Sequence, residues 1–134
     1  MTLYPLFLKL NNKKCLVIGG GVIAERKTKS LLEAGADVTI ISPDLTPTLQ
    51  KQVGEGLKYF NRTYQTGDLK GFFVVIAATN NSMVNNQIYR EAVENNQLIN
   101  CVDDPEHCNF YLSAIVNRKN LQIAISTAGK SPLF

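Results

Sequence analysis

The sequence has no uninterrupted apolar run of about eighteen residues, so it offers no membrane span. Its opening, Met1-Thr2-Leu3-Tyr4-Pro5-Leu6, lacks the basic and long apolar regions of a secretory signal, and the expected location is the cytoplasm. It holds one histidine, His107, and three cysteines, Cys15, Cys101 and Cys108. An odd number of cysteines near expected strands or a loop argues for buried reduced thiols rather than a disulfide or metal centre. His107 stands between Glu106 and Cys108. Two candidate ligands one residue apart are a weak metal signal, and no metal site is expected. A large excess of one charge is missing too. Fourteen basic against eleven acidic residues leave a formal +3, too small and dispersed to argue for nucleic acid, though it favours an anionic small molecule. What is present is 134 residues, 45% of them hydrophobic, which suits one globular domain with a sizeable core.

The organising stretch is Cys15-Leu16-Val17-Ile18-Gly19-Gly20-Gly21-Val22-Ile23-Ala24. A strand, a tight turn and a helix start give Gly19-x-Gly21-x-x-Ala24, the dinucleotide fingerprint in its alanine-ending form. Gly19 permits the turn, and Gly21 lacks the Cβ that would hold a pyrophosphate off the backbone. Ala24 lets the helix sit close to the sheet, while the N–H groups around Val22 and Ile23 face the phosphates. Ala24, Thr28, Leu31 and Leu32 then mark the buried face of a helix ended by Gly35, with Glu25 and Lys29 as an i,i+4 pair.

Further along, Val38–Ile41 is expected as a strand closed by Ser42-Pro43-Asp44, residues 45–53 as a short helix, and Leu57–Phe60 as a third strand. The continuous apolar run Phe72–Ala78 suits a fully buried parallel strand. Residues 79–82 cap a helix running to about Glu94, with Val84, Ile88, Ala92 and Val93 buried, and residues 98–102 form the next strand. Leu6–Leu10 reads as a short edge strand or an extended arm. This alternation implies an α/β, Rossmann-type, doubly wound parallel sheet, with ligands at the carboxyl ends of the strands. Gly19, Ser42, Thr79 and Asp103 all fall at such ends. Ser42 and Asp44, with no basic residue before Lys51, favour NAD over NADP. Residues 109–116 and 121–126, around Asn117-Arg118-Lys119-Asn120, read as a C-terminal antiparallel hairpin.

With these pieces in place the sequence resembles the precorrin-2 dehydrogenase family, the dehydrogenase and ferrochelatase module of siroheme synthases. The resemblance rests on Tyr4-Pro5-Leu6-Phe7-Leu8, Val17 through Lys27, Leu32-Glu33-Ala34-Gly35-Ala36 and Ile76-Ala77-Ala78-Thr79-Asn80. It continues through Asn100-Cys101-Val102-Asp103-Asp104-Pro105 and Ile125 through Pro132, so it covers essentially the whole chain. It implies NAD-dependent oxidation of precorrin-2, a polycarboxylate tetrapyrrole, to sirohydrochlorin, with ferrous iron inserted by some members. By resemblance the essential aspartate falls on Asp103, and the cofactor contacts fall on Gly21, Val22, Ile23, Ser42, Pro43, Thr79 and Val102. Together with Gly19 and Asp44 from the fingerprint, these form the expected NAD site. Ser126 is the serine near the tetrapyrrole, and Lys130 in the same terminal element is a candidate substrate contact. Arg26, Lys27 and Lys29 could also meet a polycarboxylate substrate, but helix-face cations are ordinarily solvated and they are read so. The resemblance further implies residues 1–112 as the NAD-binding domain and 113–134 as the start of a β-hairpin dimerisation segment, truncated before a helical region. A homodimer is expected. The alternative is a non-catalytic NAD-sensing module, which would not need Asp103 or the 126–132 element.

Overall fold

Residues 2–128 are described by a computed structural model, and Lys130 lies outside them. Five strands form one parallel sheet: β1 (Lys14–Ile18), β2 (Asp37–Ile41), β3 (Leu57–Phe60), β4 (Val74–Ala77) and β5 (Leu98–Cys101). Their spatial order is β3-β2-β1-β4-β5. The chain winds outward from β1 to β3, then returns to the other side of β1, which places the topological switch between β1 and β4. Helices α1 (Val22–Glu33) and α3 (Ser82–Glu94) and the short α2 (Pro47–Gln52) connect the strands.

Alternating side chains along the strands build two cores. Cys15, Val17, Val38, Ile40, Val74 and Ile76 pack with Ala24, Leu31 and Leu49 of α1 and α2 on one face. Leu16, Ile18, Val75, Ala77, Ile99 and Cys101 pack with Ile88 and Ala92 of α3 on the other. A strand covered on both faces has no polar side to show, which is why β1 and β4 read as unbroken apolar runs. All three cysteines are free thiols; Cys15 and Cys101 are buried and Cys108 is partly buried.

The helix ends follow their sequence signals. Gly35, at φ +83°, ends α1 by letting the N–H of Ala36 reach Leu31 O (3.0 Å) and its own N–H reach Leu32 O (2.9 Å). Asn96, at φ +56°, closes α3 the same way, with Gln97 N–H on Ala92 O at 2.9 Å. The Asn81 side chain caps α3 by accepting from the N–H groups of Met83 (3.0 Å) and Val84 (3.2 Å).

Three expectations need correction, and one open alternative is decided. Val93 is 45% exposed, lying beyond the stripe made by Ile88 and Ala92. The Glu25–Lys29 pair does not form among the described residues; Glu25 instead accepts from Thr46 Oγ1 at 2.6 Å. Residues 6–10 are the extended arm, not an edge strand. The hairpin begins at β6 (Ala114–Arg118) rather than at Asn109, and pairs with β7 (Leu121–Ile125). Residues 108–110 cover the outer edge of β5 instead. Asn109 N–H bonds Ile99 O (3.0 Å), Asn109 Oδ1 accepts from Ile99 N–H (2.8 Å), and Asn100 Nδ2 donates to Phe110 O (3.0 Å). An edge strand left bare would recruit another chain, and this segment blocks that pairing.

Thr28 is fully buried in α1, and its Oγ1 lacks a hydrogen-bond partner among the described residues. Thr28→Val keeps the shape and removes the stranded hydroxyl, so it is expected to stabilise the domain by about 1 kcal/mol. Denaturant titration checks this, and an unchanged or lower midpoint would count against a stranded hydroxyl.

Candidate functional site

The three glycines play three different parts. Gly19 leaves β1 at φ +126°, and a Cβ there would lie 2.3 Å from Ala78 O, so both backbone conformation and the approach of the β4–α3 loop require glycine. A Cβ on Gly20 would lie 1.9 Å from Asp44 O, because the loop after β2 packs directly on this turn. Gly21 is the opposite case: a Cβ would meet nothing within 4 Å. It is the N-cap of α1 and supplies no side-chain cap, which leaves the first-turn N–H groups facing open space.

That space is a cleft of about 1030 Å³ along the carboxyl ends of β1, β2 and β4. Every residue expected to contact the cofactor lines it: Gly19, Gly21, Val22, Ile23, Ser42, Pro43, Asp44, Thr79 and Val102. The side chains are set from behind. Ser42 is buried, and its Oγ donates to Asp44 O at 2.7 Å, so it shapes the loop from within. Tyr59 Oη holds Ser42 O at 2.8 Å. Thr46 ties the loop to the glycine turn through its N–H on Gly20 O (3.0 Å), while Leu49 N–H caps onto its Oγ1 (3.2 Å). Thr79 Oγ1 donates to Asn85 Oδ1 at 2.6 Å, and Asn85 Nδ2 returns to Thr79 O at 3.1 Å.

Gly20, Thr46 and Asn85 are the supporting residues that sequence reasoning missed. Gly20 occupied a free position of the fingerprint. For Thr46, the visible signal was its place before Pro47, a helix-start pattern. Asn85 carried no local signal.

Asp103 stands just past β5 in a turn closed by Asp104 N–H on Cys101 O (3.2 Å), with φ +60°. Aspartate tolerates this left-handed conformation better than most residues, and such geometry concentrates at functional positions. Asp103 is exposed and lines the dinucleotide-sized cleft beside Val102. The same two residues also line a second cleft of about 510 Å³, which Ser126 borders as well. Asp103 and Ser126, 23 positions apart in the chain, thus face one cavity. The neighbouring Asp104 is engaged elsewhere, its Oδ2 lying 2.6 Å from His107 Nδ1, and His107 in turn packs edge-on against Tyr89.

A family model described as putative NAD(P)-binding matches residues 6–114. The precorrin-2 dehydrogenase of Bacillus subtilis is 40% identical over 129 residues, covering 96% of this chain and 79% of that protein. The chain belongs to the precorrin-2 dehydrogenase family. A siroheme synthase of Methylobacillus flagellatus is 43% identical over the whole chain, which spans 29% of that longer protein. The solved structure of SirC, a precorrin-2 dehydrogenase, superimposes with a TM-score of 0.85 at 31% identity, over 97% of this chain and 64% of that one.

Two features of this family member bear on its chemistry. Burial pushes the Cys15 thiol to about 11 and the Cys101 thiol to about 12, so neither offers a thiolate near neutrality. Lys27, read from sequence as solvated, is half-buried and lines the second cleft with Asp103. Its ammonium is pulled below the ordinary lysine range by burial first and by the charge of Arg26 second, while Asp103 opposes the shift. The helix-face reading for Lys27 is therefore corrected: it lies three residues after Ala24 and four before Leu31, on the flank of the buried stripe.

Proposed function

We propose that this chain is the dehydrogenase module that oxidises precorrin-2 to sirohydrochlorin, with NAD as cofactor. The observation that carries the reading is the junction of two clefts at Val102 and Asp103. One has the glycine turn and open helix start that suit a pyrophosphate; the other is lined by both a carboxylate and a serine. The residues present fit the cofactor, since Gly21 leaves room where phosphate oxygens would approach the first-turn N–H groups of Val22 and Ile23. When bound, NAD supplies the acceptor for a hydride. The oxidation is a two-electron step: both electrons of a C–H bond leave with the hydride, and Asp103 takes the accompanying proton on its carboxylate. The sensing alternative is disfavoured, because the relatives carry the names of enzymes and a sensor would have no use for the second cleft.

Among the described residues no lysine or arginine lines the larger cleft, and the Asp44 carboxylate does. A 2′-phosphate would find no cation and an adverse charge, so NADP is expected to bind about tenfold or more weakly than NAD. Absorbance at the NADH band on mixing precorrin-2 with NAD and the full native polypeptide tests the reaction, and parallel titrations test the preference. No NADH formation would sink the dehydrogenase reading, and equal affinities would sink the discrimination.

The reading extends to the parts of the whole protein. Residues 1–112 would be the cofactor domain and 113–134 the start of a segment that pairs two copies. Ile115, Leu121, Ile123 and Ile125 in the hairpin are each 44–58% exposed and want cover. A symmetric homodimer is the expected assembly, and sedimentation as a monomer at all concentrations would contradict it. Ferrous iron would be a second substrate, because metal insertion, like oxidation, removes protons from the macrocycle and can use the same base. Iron uptake by sirohydrochlorin at the spontaneous rate would remove it. A cytoplasmic location goes with this chemistry; among the described residues no helix is long and apolar enough to cross a membrane. Ser126 and Lys130 remain proposed substrate contacts.

A further inference from the structure

The second cleft has an acidic side and one cation. Asp103 and Asp104 lie on its β5 edge, and Asp104 is paired with His107 at 2.6 Å. Asn100, Ser126 and Thr127 are neutral. Among the described residues lining this cleft, Lys27 alone carries a positive side chain. It makes no ion pair within 4.0 Å among the described residues, so its charge is not already neutralised by a fixed partner. Its position on α1 flanks the stripe of Ala24, Thr28 and Leu31 that packs against the sheet, and the residue is partly buried there. A half-buried lysine lining a cavity at the cofactor junction, with Asp103 as the one carboxylate that acts on its charge, is poised for an anionic ligand group.

We propose that Lys27 is a specificity residue of the second cleft, anchoring a carboxylate of the tetrapyrrole so that the macrocycle edge is presented to Asp103. The proposal rests on the precorrin-2 reading above. Chemically it explains how a cleft bordered by two aspartates could accept a polycarboxylate at all: without Lys27, the only charged side chains lining it among the described residues would be the carboxylates of Asp103 and Asp104.

The test uses the full native polypeptide with Lys27→Met and Lys27→Arg. Lys27→Met is expected to raise the KM for precorrin-2 on the order of tenfold, with kcat within about twofold and the Kd for NAD unchanged. Lys27→Arg keeps the charge and should stay within about threefold of the parental KM. An unchanged KM in Lys27→Met, or the same defect in both variants, overturns the anchor, the latter because packing would then be the cause. A second measurement separates this inference from the dehydrogenase reading. Sirohydrochlorin binding, followed by its own absorbance with no NAD present, should weaken about tenfold in Lys27→Met whether or not turnover occurs. Lys27-dependent binding in a protein that forms no NADH would keep the anchor and discard the reaction. Equal binding by parental and Lys27→Met proteins would discard the anchor.

Discussion

Gly21→Leu is expected to weaken NAD binding by about 100-fold or more while leaving the unfolding midpoint where it was. The two halves of that result come from one observation. Gly21 sits at φ −86°, where any residue is comfortable, and a Cβ there touches nothing within 4 Å. The fold therefore has no objection to a side chain. The cleft does, because the leucine would fill the space in front of the first turn of α1 and screen its N–H groups from phosphate oxygens. Losing two charge-assisted hydrogen bonds at about 1.5–3 kcal/mol each is enough for the expected loss. Gly20→Ala is the control that makes the experiment decisive. Its added methyl would lie 1.9 Å from Asp44 O and 2.9 Å from Ser42 Oγ, so the loop after β2 must move. That variant should lose stability by about 2–4 kcal/mol, with NAD binding falling as a consequence. Isothermal titration and denaturant unfolding on both proteins separate the cases. Gly21→Leu with parental affinity would remove the pyrophosphate from the glycine turn.

The pair also shows what the sequence could and could not reveal. A strand buried on two faces must be apolar throughout, so β1 and β4 announced themselves, and the glycines marked where the first of them ended. The candidate cofactor cleft was legible for a related reason: in a doubly wound sheet, strand ends converge by topology, and the fingerprint names the switch point. What depends on contact between distant segments was not legible. Gly20 looked interchangeable because its constraint is a carbonyl 24 positions away at Asp44. Lys27 looked like any helix-face lysine because Asp103, which it faces, is 76 positions further on. Residues 109–113 carried the apolar and aromatic content of a strand, yet Asn109 spends both ends of its amide on β5 and the residue before it, at Ile99 N–H and Gln97 O. An amide side chain imitating a peptide group leaves no periodic trace. Glu25 is the same lesson in miniature, since its sequence neighbour Lys29 lost to a threonine from the opposite loop.

Replacing Asp103 should have the largest effect on turnover, and the geometry dictates which replacement to trust. The residue is at φ +60°, a conformation alanine adopts at a cost of about 1–2 kcal/mol. Asp103→Ala would therefore mix lost chemistry with a strained turn. Asparagine tolerates the same backbone and keeps nearly the same volume, while it removes the carboxylate's charge and its ability to accept a full proton. Both variants are expected to lose about 10²–10⁴-fold in kcat for precorrin-2 oxidation, the usual scale of general-base assistance. Only Asp103→Ala should also lower the unfolding midpoint. The Kd for NAD should be unchanged in both, because phosphate binding is assigned to the first turn of α1 and Asp103 belongs to the turn after β5. The KM should move less than kcat, since Asp103 is not asked to hold the substrate. These measurements belong in the full native polypeptide, as this chain spans only part of its longer relatives. A kcat in Asp103→Asn equal to the parental value would leave Asp103 as a turn residue that merely lines both clefts, and the proton would need another acceptor.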